Sequence, residues 1–240
     1  MIKKILLWRD KKFYWKEKDL HTSYGLFKEK DLEDAKPGST VKSNTDYELK
    51  ILPATFLDKI EKLKKGPQSI PLKDIGTIIT YSGLTKDSTV VDAGTGSGIL
   101  ACLLANFAKQ VTTYEIREDF VKIANKNIEA LNLKNIEVKN KNITTGIDEK
   151  DVDLITLDMG SPWEAIPEVE KALKPGAILV SYSPSTPQVT DLITALDPKK
   201  FKVLKVIEVI EREWEFNERR IHPKYQMLGH SGFLVFVRKI

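Results

Sequence analysis

Apolar and polar positions along this chain follow two different rhythms. In the first forty residues the apolar positions come in short β-like pieces, Ile5-Leu-Leu-Trp8, Lys12-Phe-Tyr-Trp15 and Thr40-Val41. Turns at Tyr24-Gly25 and Lys36-Pro-Gly-Ser39 separate them. Short runs between turn residues predict a small β-barrel or meander. Residues 53–64 then place Phe56, Leu57, Ile60 and Leu63 at helical spacing. Gly66-Pro67 breaks the chain. Residues 1–64 therefore read as a small β-rich domain and residues 65–240 as a larger one.

From Leu72 onward strands and helices alternate. The pattern predicts strands at 90–92, 111–115, 136–139, 152–158 and 178–182. Helices are expected at 73–81, 97–108, 118–131, 163–173 and 187–196, with Lys174-Pro-Gly176 closing the fourth. Such alternation implies parallel strands joined by right-handed crossovers. Two long β segments, 201–216 and 232–238, end the chain with no helix between them, so one of the pair runs antiparallel. The expected fold is a seven-stranded, Rossmann-like α/β sheet that differs from a dehydrogenase sheet. No internal repeat or low-complexity tract interrupts it.

Composition narrows the classes. With 240 residues, 41% hydrophobic and 30% charged, the chain has the balance of a globular protein. No apolar run nears the ~18 residues of a membrane span, and the first residues lack the apolar stretch of a signal peptide. The one cysteine, Cys102, falls on the apolar face of an expected helix. It reads as a buried thiol in a cytoplasmic protein without disulfides. His21 and His222 belong to no Cys/His cluster, so no metal is expected. The net charge is only +4. Its basic residues gather at Lys59, Lys62, Lys64 and Lys65, and again at Arg219, Arg220 and Lys224. Both groups are candidates for RNA phosphate contacts or for plain solvated surface.

The candidate chemistry starts at Val90-Val-Asp-Ala-Gly-Thr-Gly-Ser-Gly-Ile-Leu100. A strand ends in Asp92, and Gly94, Gly96 and Gly98 lead into a helix. Glycines at such a turn let the backbone approach a ligand, and the first amides of the next helix face it. The spacing is G-x-G-x-G, not the G-x-G-x-x-G of a dinucleotide site. The form resembles the first motif of S-adenosylmethionine (SAM) dependent methyltransferases. On that reading the amides of Ser97, Gly98, Ile99 and Leu100 receive SAM. Glu115 stands where a ribose-binding carboxylate belongs, and Asn142-Ile143 would flank the adenine. A surface acid closing a strand is the plain alternative for Glu115. A third strand ends in Asp158, followed by Met159-Gly-Ser-Pro-Trp163. Three strands ending in carboxylates mark the side of an open α/β sheet where ligands bind.

A wider resemblance covers almost the whole chain. Gly66-Pro-Gln68, Lys73-Asp74, Ser82-Gly83-Leu84, the glycine run, Tyr114-Glu-Ile-Arg-Glu-Asp-Phe120 and Leu157-Asp158 with Pro162-Trp163 resemble the tRNA adenine-N1 methyltransferase family. So do Leu173-Lys-Pro-Gly176, Gln188-Val189, Arg212-Glu-Trp214, Gly229-His-Ser-Gly-Phe-Leu234 and the N-terminal His21-Thr22 with Tyr24-Gly25. Gly160 departs from the family, where Pro is frequent, and so does Ser231, where Thr is common. The resemblance implies a class I SAM-dependent methyltransferase fold and methylation of adenosine N1 in the tRNA T-loop. The target is position 58 and, in some archaeal members, 57 as well, and the assembly is a homotetramer. It implies substrate contacts for Gln68, Trp163, Arg212 and His230.

In that chemistry Asp158 accepts from the exocyclic amine of a target base turned out of the RNA. Its charge then stabilises the cation formed by alkylation. Helix capping is the structural alternative for Asp158. Tyr81 and Trp163 are candidate walls for the base or simple packing, and His230 contacts RNA or holds the last strand. Two readings from other classes stay open. One is a protein or small-molecule methyltransferase of the isoaspartate type; the other is a non-catalytic tRNA-binding subunit.

Overall fold

In the computed structural model, which describes residues 1–66, 69–217 and 219–240, the N-terminal segments pair as antiparallel strands. This unit, Met1–Leu63, holds β1 (Lys4–Trp8), β2 (Lys11–Trp15), β3 (Leu20–Thr22) and β4 (Gly25–Phe27), then α1 (Glu29–Asp34), β5 (Thr40–Lys42), β6 (Glu48–Pro53) and α2 (Phe56–Glu61). Four strands form one sheet in the order β2-β1-β6-β5, and β3-β4 is a separate hairpin. Strand alternation buries Leu6, Trp15, Leu49 and Ile51, with Phe27 and Leu32 completing the core. The helix expected over 53–64 is shorter. Pro53 still pairs with Lys4 in the sheet, and Thr55 starts α2 through a reciprocal capping pair with Asp58.

The second unit, Lys64–Ile240, opens with α3 (Leu72–Ser82), β7 (Thr89–Ala93), α4 (Ile99–Ala105), β8 (Gln110–Tyr114), α5 (Glu118–Leu131) and β9 (Ile136–Lys139). It continues with β10 (Val152–Leu157), a 3-10 turn at Pro162–Ala165, α6 (Ile166–Ala172), β11 (Leu173–Ser183) and α7 (Thr186–Ala195). The last strands are β12 (Phe201–Glu208), β13 (Trp214–Asn217), β14 (Arg220–Pro223) and β15 (Phe233–Lys239). Seven strands lie in the order β12-β15-β11-β10-β7-β8-β9. β15 runs antiparallel to both neighbours, which is the sheet expected from the alternation. A solid apolar layer, from Val91, Ile155 and Leu179 to Val169 and Leu192, lies between the sheet and α6 and α7.

Two stretches depart from the expected elements. Lys174-Pro-Gly176 does not stand outside the sheet; β11 begins at Leu173, which pairs with Val152, and the register shifts before Ile178. The long β segment expected over 201–216 stops at Glu208. After it, β13 and β14 form their own two-stranded hairpin. Its side chains Trp214, Phe216 and Ile221 are exposed, so no apolar face of the sheet holds this stretch in the main ladder.

Candidate active site

The glycine turn is built on one rung of the sheet. Asp92 of β7 registers with Thr113 of β8 and with Thr156 of β10. Both threonine hydroxyls donate to the Asp92 carboxylate, each at 2.6 Å. The Thr95 hydroxyl donates in turn to Thr113, also at 2.6 Å. Asp92 is completely enclosed (1% exposed), and burial raises its carboxyl above the usual range while the two threonines oppose that rise. This places Asp92 under the loop as its anchor.

Above that rung the loop turns through Gly94, Gly96 and Gly98, all at positive φ. Gly94 is the position that no other residue fits. Its φ is +88°, and a Cβ there would sit 1.8 Å from the Asp158 carbonyl oxygen. The close approach lets the Asp158 amide donate to the Ala93 carbonyl at 2.8 Å. The Gly98 amide is turned back onto the Thr95 carbonyl at 2.8 Å, so it is not a free donor toward a ligand. Ser97, Ile99 and Leu100 stand at the start of α4, where the first amides of a helix have no partner within it. Glu115 lies just past the end of β8 and is 7% exposed. Its carboxylate accepts from the Gly96 amide at 2.9 Å and the Arg117 amide at 3.0 Å. It is an element of the turn, with lone pairs left for a diol.

Sequence reasoning missed three further residues, two of which hold this turn. Asn127 of α5 is buried and donates to the carbonyls of Ser97 at 2.8 Å and Lys64 at 3.0 Å. Asn140 donates to the Glu115 carbonyl at 2.8 Å. Tyr182, near the end of β11, is the third. Leu157 registers with Ser181 in the last rung of β10 and β11, so Tyr182 and Asp158 follow at the same end of the sheet, and the charge of Asp158 reaches the Tyr182 phenol. This phenol donates to the Ser231 carbonyl at 2.5 Å, and burial raises its pKa. One cue was available, namely that Tyr182 ends a strand as the acids do.

Asp158 itself is half-buried. Burial, and next the charge of Asp92 behind it, push its carboxyl up to about 7. The loop that follows is held from α7: Gln188 donates to the Gly160 carbonyl at 3.0 Å and accepts from the Ser185 hydroxyl at 2.9 Å. Trp163 sits half-buried in the 3-10 turn after that loop. Asn142 is exposed, and its side chain caps the turn Ile143–Thr145. Ile143 is 3% exposed, within the core layer; it is a packing residue before it is a contact.

Tyr81 is not brought to this site. It lies at the far end of α3, edge-on to Phe236 at 5.7 Å, with the Lys205 ammonium 3.8 Å from its ring. Phe236 and Lys205 belong to β15 and β12, so Tyr81 covers the sheet two strands or more from β10. The direction of α3, which sequence spacing does not reveal, decides this. His230 bridges Glu208 and the Pro184 carbonyl through its two ring nitrogens and leans on Phe233 at 4.9 Å. These contacts hold the start of the last strand. Its hydrogen bond to Glu208, then that to Pro184, raises its pKa. Arg212 is exposed just before β13, away from Asp158 in the chain and in no described contact with it. Gln68 lies outside the described residues. Lys224 is paired with Glu213, which weakens it as a phosphate contact. Among the described residues no cluster of His, Cys, Asp or Glu could hold a metal ion, and no helix is long and apolar enough to cross a membrane. Cys102 is a buried thiol whose pKa burial pushes up to about 12.

The geometry can therefore hold a small ligand over a glycine turn, with a half-buried carboxylate and a phenol beside it. Comparison with known proteins points the same way. A family model described as the tRNA methyltransferase complex GCD14 subunit matches residues 60–225. The tRNA (adenine(57)-N(1)/adenine(58)-N(1))-methyltransferase TrmI of Methanocaldococcus jannaschii is 32% identical, the match covering 87% of this chain and 84% of that one. The tRNA (adenine(58)-N(1))-methyltransferase TrmI of Thermus thermophilus is 31% identical over 91% and 88%. Among solved structures, the tRNA (m1A58) methyltransferase TrmI of Aquifex aeolicus superposes with a TM-score of 0.85 at 28% identity, covering 99% of this chain and 96% of that one. A SAM-dependent O-methyltransferase of Thermotoga maritima superposes with 0.89 at 28% identity, covering 100% and 93%.

Proposed function

Because the chain belongs to the family of the tRNA methyltransferase complex GCD14 subunit, we propose that it methylates N1 of adenosine 58 in the tRNA T-loop, with SAM as methyl donor. The observation that carries this reading is the placement of Asp158. Asp158 is half-buried just past the carboxyl end of β10, its backbone against the glycine turn, at the end of the sheet where Tyr182 closes β11.

Adenine N1 carries an in-plane lone pair and needs no base before it attacks; the enzyme's main task is placement. When bound, SAM supplies a methyl group already activated by a sulfonium. The glycine turn, pinned by Asp92, Asn127 and Glu115, fits that cofactor, since Gly96 leaves its side of the loop open where a side chain would stand. Asp158 accepts from the exocyclic amine of the base. As N1 becomes alkylated the base turns cationic, and the fixed carboxylate stabilises that charge in a low-dielectric site. The target base must leave its stack to reach the site, and Trp163 and Tyr182 are the aromatic residues near the Asp158 loop.

The chain acts as a homotetramer in this reading. The exposed apolar side chains of the β13–β14 hairpin, Trp214, Phe216 and Ile221, with Tyr225, Met227 and Leu228 after it, form the kind of patch that marks a protein interface. Lys64, Lys65, Arg219 and Arg220 are exposed and supply RNA phosphate contacts. The cytoplasm, where a lone buried thiol stays reduced, is its place. Incubation with labelled SAM and either unmodified tRNA or protein tests the substrate class. Label in tRNA supports the reading, and label in protein alone contradicts it.

A further inference from the structure

A buried polar cluster outside the glycine turn has no part in the chemistry so far. Lys73 and Asp74, in the first turn of α3, form an ion pair at 2.9 Å with side chains 8% and 0% exposed. A pair this enclosed costs desolvation unless its remaining bonds are made, and here they are. The Lys73 ammonium donates to both Asp74 oxygens, to the Val209 carbonyl at 2.7 Å and to the Ser231 hydroxyl at 2.6 Å. That hydroxyl donates onward to Asp74 at 2.8 Å. Val209 and Ser231 are the two roots of the segment that carries the β13–β14 hairpin. Ser231 is also the residue whose carbonyl receives the Tyr182 phenol at 2.5 Å. The next residue, Gly232, has no room for a side chain; a Cβ would meet the Tyr182 ring at 2.5 Å.

We propose that Ser231 is a positioning residue for methyl transfer. Its hydroxyl is locked into the Lys73–Asp74 pair, and its carbonyl thereby fixes Tyr182 beside Asp158. This rests on the function proposed above. A single hydroxyl thus serves two elements. It ties the hairpin's return root to α3, and through one residue's backbone it sets a wall of the base pocket. Removing it leaves the Lys73–Asp74 pair in place but frees residue 231 to shift. The Tyr182 phenol then loses a fixed acceptor.

The test compares Ser231→Ala, Ser231→Thr, Tyr182→Phe and the double variant Ser231→Ala/Tyr182→Phe in single-turnover methylation of tRNA, with SAM affinity measured separately. Loss of one buried hydrogen bond that orients a reacting group is expected to slow Ser231→Ala about tenfold at unchanged SAM affinity. Ser231→Thr, which keeps the hydroxyl, is expected to restore the rate to within about twofold of the unaltered protein, well inside the loss of that bond. If Ser231 acts through Tyr182, the two losses do not multiply in the double variant. A wild-type rate in Ser231→Ala, or losses that multiply fully, would overturn the proposal. Hydrogen exchange of residues 228–234 needs no substrate and reads the lock by itself. Faster exchange in Ser231→Ala but not in Ser231→Thr supports it, and no change overturns it. An unaltered protein that binds SAM yet leaves tRNA unmethylated refutes the proposed function alone.

Discussion

Gly94 and Asp158 share a space that holds backbone but no side chain. A Cβ on Gly94 would lie 1.8 Å from the Asp158 carbonyl oxygen, in a residue already at a φ of +88°. The glycine turn and the backbone that carries Asp158 are therefore one object, set by a single glycine.

Gly94→Ala is expected to damage both ends of that object. Strain at a left-handed position costs on the order of 1–3 kcal/mol, and the clash with Asp158 adds to it. SAM affinity should fall by roughly tenfold or more on that scale, and methyl transfer should fall with it. Titration with SAM, alongside circular dichroism to confirm the fold, checks this. Unchanged affinity would mean that the loop moves freely and that the two sites are independent.

The raised carboxyl of Asp158 sets a pH dependence. Burial and the Asp92 charge hold it near 7, above the ordinary value of 3.8, so below about 7 the carboxyl is neutral and cannot stabilise a cationic base. The value of kcat/KM, which reports the enzyme before RNA binds, is expected to fall as pH drops through that value. Asp158→Asn should lose the dependence along with about 10²–10³ of the rate, the scale of one oriented electrostatic contact. A pH profile that stays flat from roughly 5.5 to about 8.5 would remove Asp158 from this role.

His230 makes a separate, structural prediction. Its hydrogen bond to Glu208, then that to the Pro184 carbonyl, raises its pKa above 6.5. The folded protein thus favours the protonated ring. The resulting stability is fully present below the unfolded value and is lost as pH rises through the raised one. His230→Ala should lower the melting temperature at pH values near 6, and the difference should vanish well above the raised value. A difference that is constant with pH would show that packing on Phe233, not charge, is what His230 provides.

Much of this was legible in the residues because the signals are local. Strand-to-helix alternation gives the parallel sheet, and the missing helix before β15 gives its one antiparallel strand. Alternate glycines after a strand locate the turn. What stayed hidden depends on partners distant in the chain. Asn127 reads as an ordinary polar helix residue until α5 packs against the Ser97 carbonyl. Asp92 ends a strand as a ligand-binding acid would, but its rung supplies two threonine hydroxyls and closes it off. Tyr81 and Tyr182 are equally aromatic in sequence; only the course of α3 across β15 and β12 carries the first away and leaves the second beside Asp158. The hairpin after β12 reads as continued strand because its exposed apolar side chains mimic a core pattern.

The basic residues predict how RNA is held. If Lys64, Lys65, Arg219 and Arg220 touch phosphates, replacing Lys64 and Lys65 with alanine should weaken binding to all tRNAs alike. It should also lower the slope of log affinity against log salt by roughly 0.9 for each phosphate no longer neutralised. Filter binding across a salt series measures it. An unchanged slope assigns these lysines to plain surface.

The most direct test of the proposed chemistry is the position of the methyl group. An unmodified tRNA transcript is incubated with SAM and the protein or its Asp158→Ala variant, then read by primer extension and by nucleoside mass spectrometry. The unaltered protein is expected to give 1-methyladenosine and a primer-extension stop at position 58. The variant is expected to be slower by about 10²–10³ while SAM affinity is kept. Methylation at another nucleobase atom, or an Asp158→Ala variant as fast as the unaltered protein, would contradict the proposed function.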